Sequence, residues 1–108
     1  MSTREVPEGA RNLLSRRDGW TRDTWENQHG ANCAVGAVQR TLGIPCKRNS
    51  SNPEMTKAVK ALAKTIDARS REAVEMYNDS QRNKRCVLAM FDAAIEAEKA
   101  KEASSDAA

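Results

Sequence analysis

Aromatic residues are nearly missing from this chain: one Phe, one Tyr and two Trp among 108 residues. β-Sandwiches and barrels lean on aromatic and β-branched side chains, so the shortage argues against both. No apolar run approaches the roughly 20 residues that a membrane-spanning helix needs. The opening stretch MSTREVPEGARNLLSRR has no long apolar segment of the kind a secretory leader carries. A cytoplasmic protein is the expectation. Cysteine is scarce and odd in number, at positions 33, 46 and 86, which fits reduced thiols better than a disulfide framework. There is one His and no CxxC or HxxxH pair. A zinc site would have to gather Cys33, Cys46 and Cys86 from distant parts of the chain, so no metal is expected. Phosphate-cradling glycine loops, a GxSxG elbow and a paired-carboxylate motif are all missing, and no cofactor is implied.

What is present favours helices. Ala, Glu, Lys and Arg are plentiful, and 31% of residues are charged. The length suits one domain with a small core and modest stability. Charge is uneven. Residues 1–91 hold 16 Lys or Arg against 10 Asp or Glu, whereas residues 92–108 hold 2 against 5. A basic body with an acidic tail suits nucleic acid. The plainer reading, a solvated surface and a solvated tail, is preferred because the basic residues alternate with acids.

The organising stretch is Trp20 to Leu42, WTRDTWENQHGANCAVGAVQRTL. Asn32 is a good N-cap for a helix from Cys33 to Leu42. Val35, Val38 and Leu42 share one face, and Ala34, Gly36 and Ala37 let a neighbouring element approach closely. Gly43 supplies a left-handed stop and Pro45 prevents resumption. Before this helix, residues 20–32 form either a short hairpin or an ordered loop. Trp20 and Trp25 read first as lids over the core with their indole N–H groups partnered. The second reading is an exposed partner-binding anchor.

Around this centre, Pro7 and Glu8 open a first helix that runs to about Arg17. Asn52-Pro53-Glu54 opens another that ends near Ala68, with Ser51–Glu54 as an alternative capping box. Met55, Val59, Leu62 and Ile66 make its inner stripe, and Lys57, Lys60 and Lys64 mark its outer face. Ser70 caps a short helix through Ala73, Val74 and Tyr77, which Asn78-Asp79-Ser80 breaks. A last helix starts at about Gln81, with Val87, Met90, Phe91 and Ala94 as its stripe. Beyond Glu96 the chain has little to bury and should fray.

Three sets of residues are candidates for chemistry or binding. Cys33 and His29 lie four apart at a predicted helix start, where a thiol pKa falls and a His can act as base, with Asn78 or Asp79 orienting it. Burial of Cys33 as a small hydrophobe is the preferred alternative. Lys47, Arg48, Arg82, Lys84 and Arg85 could form a basic face. The last three oppose the dipole of the final helix, as a phosphate or acidic-partner site would, although a solvated end near Asp79 is preferred. Asn32, Cys33, Gly36, Asn78 and Asp79 are read as structural. Asn78-Asp79 would either cap the last helix or bond the loop before Cys33. A buried Asp there would take its donors from the tryptophan indoles or the backbone N–H groups at the Cys33 helix start.

Gly19-Trp20, then Asn32-Cys33-Ala34-Val35-Gly36-Ala37-Val38, then Tyr77-Asn78-Asp79 and Arg85-Cys86-Val87-Leu88 occur in that order. Together they resemble a family of small uncharacterised proteins of actinobacteria and their phages. Its members show a GW start, a C-A-x-G-A-L helix, a W-N-D or F-N-D turn and a closing helix. Val38 stands where Leu is usual, Tyr77 where Trp or Phe is usual, and Lys84-Arg85 where Thr is commoner. The resemblance spans about residues 10–97. It implies a fold and a phage or host origin, and no reaction.

The expected architecture is mainly α: a small single-domain bundle of four to five helices over residues 7–97. Residues 1–6 should be flexible, and residues 98–108 should be a frayed or disordered acidic tail. The expected function is that of a small cytoplasmic accessory protein that binds another protein, in a host cytoplasm if phage-encoded. The alternatives are a thiol-dependent enzyme using Cys33 and His29, and a nucleic-acid-binding protein using the basic face.

Overall fold

Small side chains set the centre of the molecule. The computed structural model describes residues 3–107, and in it Ala34, Val35, Ala37 and Val38 are completely buried, with Cys33 at 4% exposure. They belong to α2 (Ala34–Thr41), which packs on α1 (Glu5–Ser15), α3 (Pro53–Thr65) and α4 (Arg71–Ser80). The long α5 (Arg85–Ala107) closes the bundle against α1 and α3. The fold is therefore a mainly helical single domain of five helices.

Each inner stripe follows helical periodicity. Val6, Ala10 and Leu14 of α1 meet Val35 and Val38 of α2 in one core. Met55, Val59 and Leu62 of α3, Val74 of α4 and Val87, Met90, Phe91 and Ala94 of α5 complete it. Leu14, Met55, Leu62 and Phe91 are the largest side chains fully withdrawn from water, and each contributes about 1.5–3 kcal/mol by burial.

The helix starts and stops follow local chemistry. The Asn52 carboxamide oxygen accepts from the Met55 amide at 2.7 Å, and Ser70 Oγ accepts from the Ala73 amide at 3.2 Å. α2 ends where Gly43 turns to φ +72°, and the Ile44 amide then donates back to the Gln39 carbonyl at 3.0 Å.

Several boundaries differ from the sequence reading. The N-cap of α2 is Cys33, whose sulfur accepts from the Gly36 amide at 3.3 Å, because the Asn32 side chain is engaged elsewhere. Residues 20–32 form an ordered loop with isolated bridges only, Trp20 to Asn32 and Glu26 to Asn32. α4 runs on through Asn78-Asp79-Ser80. The first two of these side chains bond other elements, so they do not compete with their own helix. α5 starts at Arg85, after a turn in which Asn83 Oδ1 accepts from the Arg85 amide at 2.9 Å. Arg82 and Lys84 thus precede the helix. α1 opens at Glu5, two residues ahead of Pro7, and α5 continues past residue 97. Of the expected flexible start and frayed tail, residues 1–2 and 108 lie outside the described residues.

Candidate functional site

The sequence places both tryptophans in one loop and leaves open what holds that loop. The structure gives the task to Asn78, 0% exposed on the inner face of α4. Its Oδ1 accepts from Trp20 Nε1 and from the Ala34 amide, each at 2.9 Å. Its Nδ2 donates to the Thr21 carbonyl and to Asp79 Oδ1, each at 3.1 Å. A carboxamide has two donor hydrogens and two acceptor lone pairs, so all four valences are filled. One side chain joins the tryptophan loop, the first amide of α2 and α4.

Asn32 does similar work from the other side. Its Nδ2 donates to the Trp25 carbonyl at 2.8 Å, and its Oδ1 accepts from Arg40 at 3.3 Å. That carbonyl lies over Gly36, where an added Cβ would fall 1.9 Å from the oxygen. Only glycine allows this approach. Asp79 Oδ1 accepts from the Asp23 amide at 2.8 Å. This holds Asp23 at φ +65°, a left-handed conformation that costs an L-residue about 1 kcal/mol or more. Trp25 Nε1 reaches Glu75 at 3.4 Å, and Glu75 also pairs with Arg71 at 2.9 Å. Both indoles are half-buried against the core with their N–H groups partnered. They are placed as lids.

Cys33 and His29 take different hydrogen-bond partners. The Cys33 thiol is pushed up to about 11, chiefly by burial and partly by the negative charges of Glu75 and Asp79, so it is a neutral thiol near pH 7. Its sulfur faces the Gly36 amide, whereas the exposed His29 ring meets Gln28 at 3.3 Å. Asp79, the expected orienter, bonds Asp23 and Asn78 instead. Among the described residues no group of three or more His, Cys, Asp or Glu side chains is arranged to hold a metal ion.

The five predicted basic residues divide by role. Lys84 Nζ donates to the carbonyls of Ser15 and Arg16 at 3.1 and 2.7 Å, closing the C-terminal end of α1. There its charge complements the dipole. Lys47 and Arg48 are exposed in the loop after α2, and Arg82 and Arg85 are exposed at the turn into α5.

A different basic surface stands out. Lys57, Lys60 and Lys64 are exposed along α3. Among the described residues none of them has a hydrogen bond or ion pair. Lys60 and Lys64 are like charges one turn apart, a mildly unfavourable placement. Beside them, between α3 and α4, a cleft of about 220 Å³ has a floor of Met55, Val59 and Ala63 and a rim of Lys60, Arg69 and Arg71. The sequence showed the lysine spacing, which was read as the outer face of the helix. Nothing local disclosed the apolar floor, because it forms only when α4 packs on α3.

Fold and site together define a small five-helix domain with a polar lock under a tryptophan loop and a separate face of unpaired cations. The chain belongs to the family described as "Family of unknown function (DUF6197)", whose model matches residues 1–97. No curated protein and no solved structure matches the chain. No helix among the described residues is long and apolar enough to cross a membrane.

Proposed function

We propose that the protein is a small accessory protein that acts by binding another protein, with the α3–α4 face as the surface it uses. The observation that carries this reading is the cleft: an apolar floor of Met55, Val59 and Ala63 beneath the cations Lys60 and Arg69, with Arg71 at its edge held by Glu75 and by the Lys47 and Ser50 carbonyls. A nucleic-acid backbone is met by cations and polar groups and has no use for an apolar floor. A protein segment that pairs an apolar side chain with acidic neighbours uses both parts. The motif resemblance supports an origin in actinobacteria or their phages, with the partner in that cytoplasm and a host protein as the target in the phage case.

Affinity capture with the wild type and with the Lys57→Glu/Lys60→Glu/Lys64→Glu variant tests the reading. Charge reversal should weaken retention of the partner about ten-fold or more through the lost complementarity. Retention equal to wild type would remove α3 as the surface. Binding of a generic duplex that weakens steeply with added salt would replace the protein partner with nucleic acid.

A further inference from the structure

Building on the protein-binding reading above, we infer that the partner filling the α3–α4 cleft is a second copy of this chain. Each copy inserts Met76 of its α4 over the apolar floor of the other and sets Glu72 against Lys60, so the pair closes as a dimer.

Met76 is 71% exposed, and among the described residues it is the one large hydrophobic side chain left in that state. A lone exposed apolar residue is ordinary on a protein surface; the setting of this one on α4 is what selects it. Glu72, Met76 and Asp79 follow at i, i+4 and i+7 and share one face of the helix. From Glu72 to Ser80 the helix carries three acids and no base. Glu75 is taken by Arg71 and by the Trp25 indole, and Asp79 Oδ1 by the Asp23 amide and by Asn78. Glu72 is exposed, and among the described residues its carboxylate has no hydrogen bond or ion pair. α4 thus presents a pliable apolar anchor one turn from a free carboxylate.

The cleft is the counterpart. Its floor of Met55, Val59 and Ala63 borders about 220 Å³ of open space. Lys60 and Arg69 stand over that space without a partner among the described residues. Methionine is unbranched and fills irregular apolar gaps well. Seated there, Met76 brings Glu72 beside the α3 wall, where Lys60 offers the opposite charge. Anchor and cleft are also neighbours. Ser70 and Arg71 of the rim open α4, and Met76 lies five residues beyond Arg71, roughly 8 Å along the axis. Met76 does not line the cleft of its own chain. A surface that carries both halves of a contact side by side pairs with its own copy about a twofold axis and stops at two.

Sedimentation velocity of the full chain at low salt reads the association directly. Wild type should pass from monomer to dimer as its concentration rises through the micromolar range. An isologous pair holds every contact twice, so each substitution acts at two places. Met76→Asp should weaken the dimer about 100-fold, and Glu72→Lys or Lys60→Glu about ten-fold each. Met76→Gln keeps the length of the side chain without its apolar end and should move the dimer in the same direction, should the aspartate disturb α4. A one-to-one mixture of Glu72→Lys with Lys60→Glu should associate about as tightly as wild type, because in the mixed pair both swapped charges meet their opposites. A wild-type chain still monomeric at about 1 mM overturns the inference. So does a dimer that both Met76 variants leave intact, or a mixture that regains no association. A monomeric chain that still retains another protein through α3 overturns the dimer alone and leaves the protein-binding reading standing.

Discussion

The tryptophan loop and the α3 face are both polar, and they are polar in opposite ways. Under the loop, Asn78 fills every donor and acceptor it has, and Asn32, Asp79 and both indoles are bonded in turn. On α3, three lysines stand one or two turns apart with no partner among the described residues. Polar groups bonded inside the molecule hold its shape and offer little to a visitor. Unpaired charges on an exposed helix face add little to the fold and remain available. Side-chain chemistry alone would have ranked the two regions the other way, since the loop carries both Trp and the one His and leads into Cys33, whereas α3 has no Trp, His or Cys.

The sharpest way to break this contrast is Asn78→Ala. It leaves the Trp20 indole and the buried Ala34 amide without acceptors, at about 1–3 kcal/mol each. The loss should be roughly 3–5 kcal/mol in urea unfolding, a large share of a small domain's stability. A loss below about 1 kcal/mol would mean that the lock does not hold the loop.

Next in size is the thiol. Burial raises Cys33 from 9.0 to about 11, so the folded state favours the protonated form. The contribution is fully present below pH 9 and is lost as pH rises toward 11, because the unfolded chain ionises first. The difference amounts to roughly 2–3 kcal/mol. Wild-type stability should fall more steeply than that of Cys33→Ala between pH 9 and 11. Parallel curves would show that Cys33 is not sealed in the core.

The smallest effect is expected on the other side of the comparison. Lys57→Glu/Lys60→Glu/Lys64→Glu should change stability by about 0.5 kcal/mol or less for each substitution, while the proposed binding role requires it to weaken partner retention. A large stability loss would make the α3 lysines part of the fold and erase the distinction.

Much of this arrangement was legible before the structure. The Asn52 and Ser70 caps, the Gly43 stop and the apolar stripes of α3 and α5 are signals within a few residues, and the helices obey them. Sequence reading paired Asn78-Asp79 with the tryptophans and the α2 start, but named the Asp as the buried member. The buried one is Asn78, because an amide satisfies two donors and two acceptors without bringing a charge out of water. The helix over Asn78-Asp79-Ser80 was missed for the same reason. Residues that break helices by bonding their own backbone lose that tendency when distant partners take their side chains.

By itself, the amino-acid order determined the helical class, the inner faces and most caps, since each depends on neighbours within one or two turns. Tertiary structure alone decided which polar groups became internal bonds and which stayed free. Trp20 and Asn78 are 58 residues apart, and Ala34 and Asn78 are 44 apart. Hydrogen bonds across such separations exist only after the apolar faces have closed, and that closure also left the α3 lysines unpaired.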